Sequence, residues 1–407
     1  MAAGVCAVAV MVVGALAEGG VGVPTPPFLF PWWPAVDPVA LAVAVGCFAA
    51  AIAVAPRLLN AHPALFALGA FAAGLVLRLA CAAARDGTGA WTKVFDPARS
   101  GEARNEYLPA LGALRHGPDL FLDRFAEVVP ALPVHAAGHP PGLLLTIDVL
   151  GADTPARLAA LCLVGGALVV PLTYAAARHV VDDARARIAA LLVAFSPAML
   201  LFGATSPDAL YATLGAAAAW GLLARRAAGA ALLAIASFFA WSLLAVGAWA
   251  AVLVARRDGP RAAARLTAAC TIALAAAYLA LALATGYDHL GALAATEQVY
   301  RNSIAQFRPY WYWVLGSPVA FGAVLGLPVA AYALRARGPV ALAIAVVVVV
   351  SAAGGFTKAE TERIWLFVVP FACLAAAVTL PRTRLVPVLA ALAAQALAIE
   401  LLFDTIW

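Results

Sequence analysis

Charge is scarce in this sequence. Only 12% of its 407 residues are Asp, Glu, Lys or Arg, and lysine occurs just twice, at Lys93 and Lys358. A domain folded in water carries about 25% charged residues, so this chain has too few to cover a polar surface. Paired cysteines are missing too. Cys6, Cys47, Cys81, Cys162, Cys270 and Cys373 stand singly in or beside apolar runs. That pattern excludes a disulfide scaffold and leaves small buried hydrophobes. No Walker motif, no G-x-G-x-x-G loop and no H-E-x-x-H pair occurs, so neither an ATPase module nor a thermolysin-like zinc site is expected. What is abundant is apolar: 65% of the residues are hydrophobic and the mean hydropathy is +0.95. Disorder, a fibrous repeat and a nucleic-acid binder are excluded despite a pI near 9.0, and an all-α polytopic membrane protein remains.

Apolar runs near the length of a membrane crossing, about 20 residues, occupy 2–17, 38–55, 63–84, 156–177, 188–203, 208–224, 229–241, 243–255, 266–285, 313–334, 339–354, 365–380 and 386–403. Residues 1–17 lack a basic start and read as a first membrane helix, not a signal peptide. The stretch 229–255 fits one long helix or two short ones, and charge decides between them. Fourteen arginines, from Arg57 and Arg178 through Arg225, Arg226, Arg256 and Arg257 to Arg384, lie in short loops with only Asp182, Asp183 and Asp258 beside them. All fourteen are cytoplasmic, as the positive-inside rule requires, only if 229–255 crosses twice. The expectation is one integral membrane domain over 1–407, with about 13 (11–13) transmembrane helices and the N-terminus inside. The alanine-, valine- and leucine-rich usage points to a GC-rich bacterium, and hence to its plasma membrane.

Three polar segments then face away from the cytoplasm: 85–155, 286–312 and 355–364. The first is long for a connector, and long connectors are usually functional. It holds nine acids against six bases, and its stretches YLPALGALRHG and DLFLDRFAEVV read as short amphipathic helices along the membrane surface. In S-G-E-A-R-N-E-Y-L-P-A-L, a helix from about Glu102 would put Glu102 and Glu106 on one face. A carboxylate at a membrane boundary loses hydration and becomes a better proton acceptor; a solvated acidic turn balanced by Arg99 and Arg104 is the simpler alternative. The loop closes on V-H-A-A-G-H-P-P-G-L-L-L, where Pro140 and Pro141 lead into a helix. His135 and His139 read as substrate-facing or structural side chains, and no metal site is expected from them, because Gly138 and Pro140 argue against a helix there. Asp208 opens a later span in G-A-T-S-P-D, where it caps a helix start. F-T-K-A-E-T-E-R-I-W brings Lys358, Glu362 and Arg363 to the start of span 365–380, a pairing suited to phosphate. Arg78 lies well inside span 63–84, where an arginine signals a functional site with an anionic partner.

Taken together these pieces resemble the GT-C glycosyltransferases, membrane enzymes that use polyprenyl-phosphate-linked sugars and include protein O-mannosyltransferases and lipid A aminoarabinose transferases. The likeness covers most of the chain as architecture. At motif level it is carried by E-A-R-N-E-Y (Glu102, Glu106, Tyr107), H-P-P-G (His139, Pro140, Pro141, Gly142), Pro207 with Asp208, and E-T-E-R-I-W. The chain departs from the family in having Asn105 where Asp is common and His139 where a basic residue is common. The resemblance implies a carboxylate base, with Glu106, Glu102 and Asp96 all open, and a donor phosphate met by Arg363, Lys358 or Arg78. It further implies substrate contacts from Tyr107, His139, Asp208 and Glu362. The partners expected are a polyprenyl-phosphate-linked sugar, a glycan, lipid or protein acceptor, and membrane lipid, with no nucleic acid; a divalent cation is left open as cofactor. A lipid or small-solute transporter and a non-catalytic assembly subunit are the alternatives. The topology has a direct check: an accessibility label at position 182 is expected to react only from the cytoplasmic side, and one at position 119 only from outside. Both reacting from one side contradicts the thirteen-span arrangement.

Overall fold

The computed structural model describes residues 2–17, 20–224, 226–355 and 357–406. Arg225 of the basic loops and Phe356 of the late polar segment lie outside them. Among the described residues the regular elements are all helical, and the extended residues form only two isolated bridges, Thr25 with Phe28 and Trp32 with Phe403. Proline sets many of the helix starts. Pro38, Pro63, Pro155, Pro260 and Pro339 each occupy a first-turn position, where φ is already suitable and the missing N–H costs nothing. Asp37 completes one of these starts, its Oδ1 accepting from the Val39 and Ala40 N–H groups at 3.0 Å each.

Among the described residues six helices are long and apolar enough to cross a membrane: Pro38–Leu58, Pro63–Phe95, Pro155–Ala177, Pro260–Thr285, Thr361–Thr379 and Arg382–Leu402. The thirteen stretches read from the sequence all contain helix, but the count of thirteen spans exceeds what their lengths allow on their own. Ala2–Leu16, Asp208–Ala224, Arg226–Ser237 and Pro339–Gly354 have 15, 17, 12 and 16 residues. A helix of about 12 residues rises about 18 Å, short of a hydrocarbon core of about 30 Å. The stretch 188–203 is divided by Pro197 into Asp183–Phe195 and Pro197–Leu201. The stretch 229–255 does form two helices, Arg226–Ser237 and Leu244–Asp258, separated by a turn at Phe238–Ala240.

A seventh crossing is available if Tyr310–Leu325 and Leu327–Ala333, bent by 114°, count as one broken span. The break falls at Gly326, whose φ is +109°, and a Cβ there would meet Leu392 Cδ2 at 2.2 Å. Backbone groups freed inside a membrane must find partners, and they do. Ser196 Oγ donates to the Leu325 carbonyl at 2.9 Å, the Leu327 N–H donates to Gln395 Oε1 at 2.9 Å, and Gln395 Nε2 donates to the Ala323 carbonyl at 2.6 Å.

The centre of the bundle is Asp183–Phe195, buried along most of its length and packed against Val369–Thr379 and Pro63–Asp86. By contrast Pro38–Leu58 and Pro260–Thr285 leave residues such as Val39, Leu279 and Leu283 exposed, faces that suit lipid and not water. The polar loop 85–155 is folded into 3-10 turns and short helices, with Phe121 and Phe125 turned inward and Phe125 against Tyr287. It closes through Gly142, whose N–H donates to the Phe238 carbonyl at 3.0 Å. A Cβ at Gly142 would stand 2.4 Å from that oxygen, which explains glycine after the proline pair: the 238–240 turn comes too close for any side chain. Gly142→Ala is expected to lower stability by about 1–3 kcal/mol in thermal unfolding. Gly112→Ala, in the same loop with open space around it, should be neutral, and equal effects at the two positions would contradict this packing.

Candidate active site

The segment before Glu106 is shaped by local side-chain caps. Asp96 Oδ1 accepts from the Ala98 N–H at 3.0 Å, and Ser100 Oγ accepts from the Glu102 N–H at 3.1 Å, which starts a 3-10 turn at Gly101–Arg104. The expected α-helix from Glu102 is therefore absent; a tighter turn stands in its place, because Ser100 caps the chain there and Asn105 bonds sideways. Asn105 Nδ2 donates to Glu102 Oε2 at 3.2 Å, and the Asn105 carbonyl accepts the His135 N–H at 3.0 Å. The residue that departs from the family pattern is thus the brace joining both ends of the loop.

Glu102 and Glu106 still converge, on His135. The imidazole Nε2 lies 2.9 Å from Glu102 Oε1 and 3.8 Å from Glu106 Oε1. Glu106 has no solvent exposure, whereas the Glu102 side chain keeps 20%. Burial works against the charge of His135, but Glu106 and the hydrogen bond to Glu102 outweigh it and raise its pKa above the ordinary histidine value. His139 differs: burial dominates and lowers its pKa, favouring the neutral ring. Its Nδ1 donates to the His135 carbonyl at 2.9 Å, which leaves Nε2 of the neutral ring as an acceptor. That ring lies 5.0 Å from Tyr211, and the Tyr211 hydroxyl is 2.7 Å from the Tyr107 hydroxyl.

Beside this cluster runs a ladder of buried charges. Arg363 Nη1 donates to Asp208 Oδ2, which also accepts from Ser206 Oγ at 2.8 Å. Arg363 Nη2 donates to Glu360 Oε2 at 3.2 Å, and Arg308 Nη2 donates to Glu360 Oε1 at 2.9 Å. Burial opposes the charge of Glu360, but Arg363, Arg308 and His135 prevail and hold its carboxyl below the usual glutamate range.

No protein family matches this chain, and neither does any curated protein or solved structure. The site is read from its own chemistry.

Of the residues singled out in the sequence, Glu102, Glu106, Tyr107, His139, Asp208 and Arg363 belong to one connected region. Asp96 is a turn-former held near Arg99 at 3.6 Å. Lys358 turns its Nζ to the Ala305 carbonyl at 2.9 Å. Glu362 is buried, its Oε1 accepting the Leu29 N–H at 2.9 Å. Arg78 lies across the start of the Asp208 helix, against Gly203 and Gly166. His135, read only as a substrate-facing or structural side chain, is the point on which the two glutamates converge; Tyr211, Glu360 and Arg308 were missed as site residues. Tyr211 stands three residues after Asp208 on the same helix, a spacing that was legible. Arg308 gave no signal, since its partner lies 52 residues away.

Glu102, Glu106 and His135 also bring one ligand atom each to within 4.8 Å of one another. Two carboxylates and an imidazole can hold a divalent cation such as zinc or manganese; without one, the same groups can hold and pass a proton.

The shifted groups give stability a definite pH dependence. Protonated His135 stabilises the fold fully below its unfolded value of 6.5, and this is lost as pH rises through its higher folded value. Ionised Glu360 stabilises it fully above 4.5, and this is lost as pH falls through its lower folded value. In thermal unfolding between about pH 4 and about pH 9, His135→Gln is expected to flatten the alkaline limb and Glu360→Gln the acid limb. A His135→Gln protein that keeps the full alkaline loss contradicts the assignment.

Proposed function

We propose that this protein is a bacterial plasma-membrane glycosyltransferase of the GT-C type, moving a sugar from a polyprenyl-phosphate donor to an acceptor hydroxyl on the outer side. The observation that carries the reading is Glu106: a fully buried carboxylate in the most acidic loop, beside His135 and Tyr107. The arginine-rich loops support an arrangement of up to thirteen crossings with 85–155, 286–312 and 355–364 outside. The shorter helices then cross by virtue of local thinning and polar ends. Trp32, Trp33, Phe307 and Trp311, all exposed, suit the interfacial belt at that side.

In this reading Glu106 takes the proton of the acceptor hydroxyl as its oxygen attacks the sugar's anomeric carbon. The bond from that carbon to the phosphate oxygen breaks, polyprenyl phosphate leaves with the electron pair, and the configuration inverts in one displacement. Glu102 and His135 fix the orientation of Glu106. Tyr107 and the neutral His139 line the acceptor side, and a buried cation meets the phosphate as its charge grows. Arg363 is already paired with two carboxylates, and Lys358 points to a backbone carbonyl, so Asp208, Glu360 and Arg363 act as the frame of the site.

The 114° break at Gly326 favours a second reading, a transporter, since discontinuous helices build transporter sites. Among the described residues it is a single break, without the matched counterpart such folds carry. Purified protein assayed with a panel of radiolabelled polyprenyl-phosphate sugars separates the two. Glu106→Gln is expected to keep fold and donor binding and to lose at least about a hundredfold in transfer rate, with a smaller loss for Glu102→Gln. Full transfer activity in Glu106→Gln contradicts the base assignment, and vesicle flux without any transfer contradicts the enzyme.

A further inference from the structure

The 85–155 loop ends in a turn after the short helix Gly142–Val149, and the crossing helix Pro155–Ala177 begins just beyond it. Arg157, in the first turn of that helix, is held through one nitrogen. Its Nη1 donates to Asp153 Oδ1 at 3.0 Å and to the Gly151 carbonyl at 3.1 Å. Its Nε and Nη2, and the second oxygen of Asp153, make no hydrogen bond among the described residues. The Arg157 and Asp153 side chains are 65% and 57% exposed. The pair thus presents a donor edge and an acceptor side by side, each fixed in place by the other.

Apolar surface adjoins this pair. Leu150, Ala160 and Leu161 join Arg157 in lining an open recess of about 540 Å³. Arg157, Leu161, Val164 and Leu168 follow at intervals of four, three and four residues, the spacing of a single helix face. Val164 and Leu168 are exposed, so other helices leave this face uncovered. From Arg157 to Leu168 the chain rises about 16 Å, close to half of a hydrocarbon core of about 30 Å. The stripe is therefore as long as one leaflet, with its charged pair at the polar end. Val149 and Leu150, exposed before the turn, suit the same membrane boundary.

We infer that this stripe binds one phospholipid with a zwitterionic headgroup, phosphatidylethanolamine. The lipid phosphate meets the Nε–Nη2 edge of Arg157, which matches two phosphate oxygens at once. The primary ammonium donates to Asp153, and an acyl chain follows Leu161, Val164 and Leu168. A glycerol headgroup would engage Arg157 but leave Asp153 facing a lipid of net negative charge. A choline headgroup has no N–H to give that carboxylate. The bound lipid clamps the end of the loop that carries Glu106 to the bilayer.

The test titrates full-length protein, stripped of lipid in detergent, with phospholipids of identical acyl chains and ethanolamine, glycerol or choline headgroups. Native mass spectrometry counts the lipids retained. Wild type is expected to hold the ethanolamine lipid about fivefold more tightly than the other two. Arg157→Gln should weaken it by at least about tenfold, with partial recovery in Arg157→Lys. Asp153→Asn should keep binding of the glycerol lipid and abolish the preference for ethanolamine. Both side chains are more than half exposed, so both variants should unfold near the wild-type temperature without lipid. A wild-type preference for the glycerol or choline lipid overturns the zwitterion assignment. Equal retention of all three by wild type, or an ethanolamine preference that survives both substitutions, overturns the site itself.

Discussion

The geometry of the site depends on the pairing of Arg363 with Asp208 and Glu360. These three side chains come from the start of one helix, the start of another and the turn before it, and each is buried or nearly so. Removing one member of a buried charge pair typically costs about 3–5 kcal/mol, because the other is left unpaired. The ladder therefore holds its members in register far more firmly than a surface pair would. Arg308 extends it into the 286–312 segment, and Arg308 Nη1 also donates to the Lys358 carbonyl at 2.8 Å. Three segments remote in sequence are thereby fixed beside the loop that carries Glu106.

The ladder also explains an unusual piece of backbone. Ala359 and Glu360 have φ values of +65° and +59°, a left-handed conformation that costs non-glycine residues about 1–2 kcal/mol each. Two in succession persist only where their surroundings demand it. Here the demand is visible: Glu360 must present one carboxylate oxygen to Arg308 and the other to Arg363. The Lys358 N–H, just before the strained pair, is held by the Tyr300 hydroxyl at 2.8 Å.

Much of this was legible in the sequence. Apolar runs bounded by proline and arginine marked the helices, and the basic residues at Arg225–Arg226 and Arg256–Arg257 called for a break in 229–255, which the Phe238–Ala240 turn provides. The number of crossings was less legible, since hydropathy reports composition and not how far a short helix reaches. Asn105 was also misjudged: as a departure from a motif it looked like a loss, and in the fold it braces Glu102 against the His135 backbone. Arg363 looked like a phosphate ligand because its partner Asp208 lies 155 residues away, and pairing across the chain is not written in local spacing. Among the described residues Arg78 is buried with no carboxylate in ion-pair distance.

The central claim is that the buried carboxylate cluster works on a sugar carried by a lipid phosphate. Native mass spectrometry of protein extracted gently from its own membrane addresses this directly. A bound species whose fragments are a polyprenyl phosphate and a single sugar residue is the predicted result. Extraction that returns bulk phospholipid alone, from protein that also fails to retain added polyprenyl-phosphate sugar, would contradict the account.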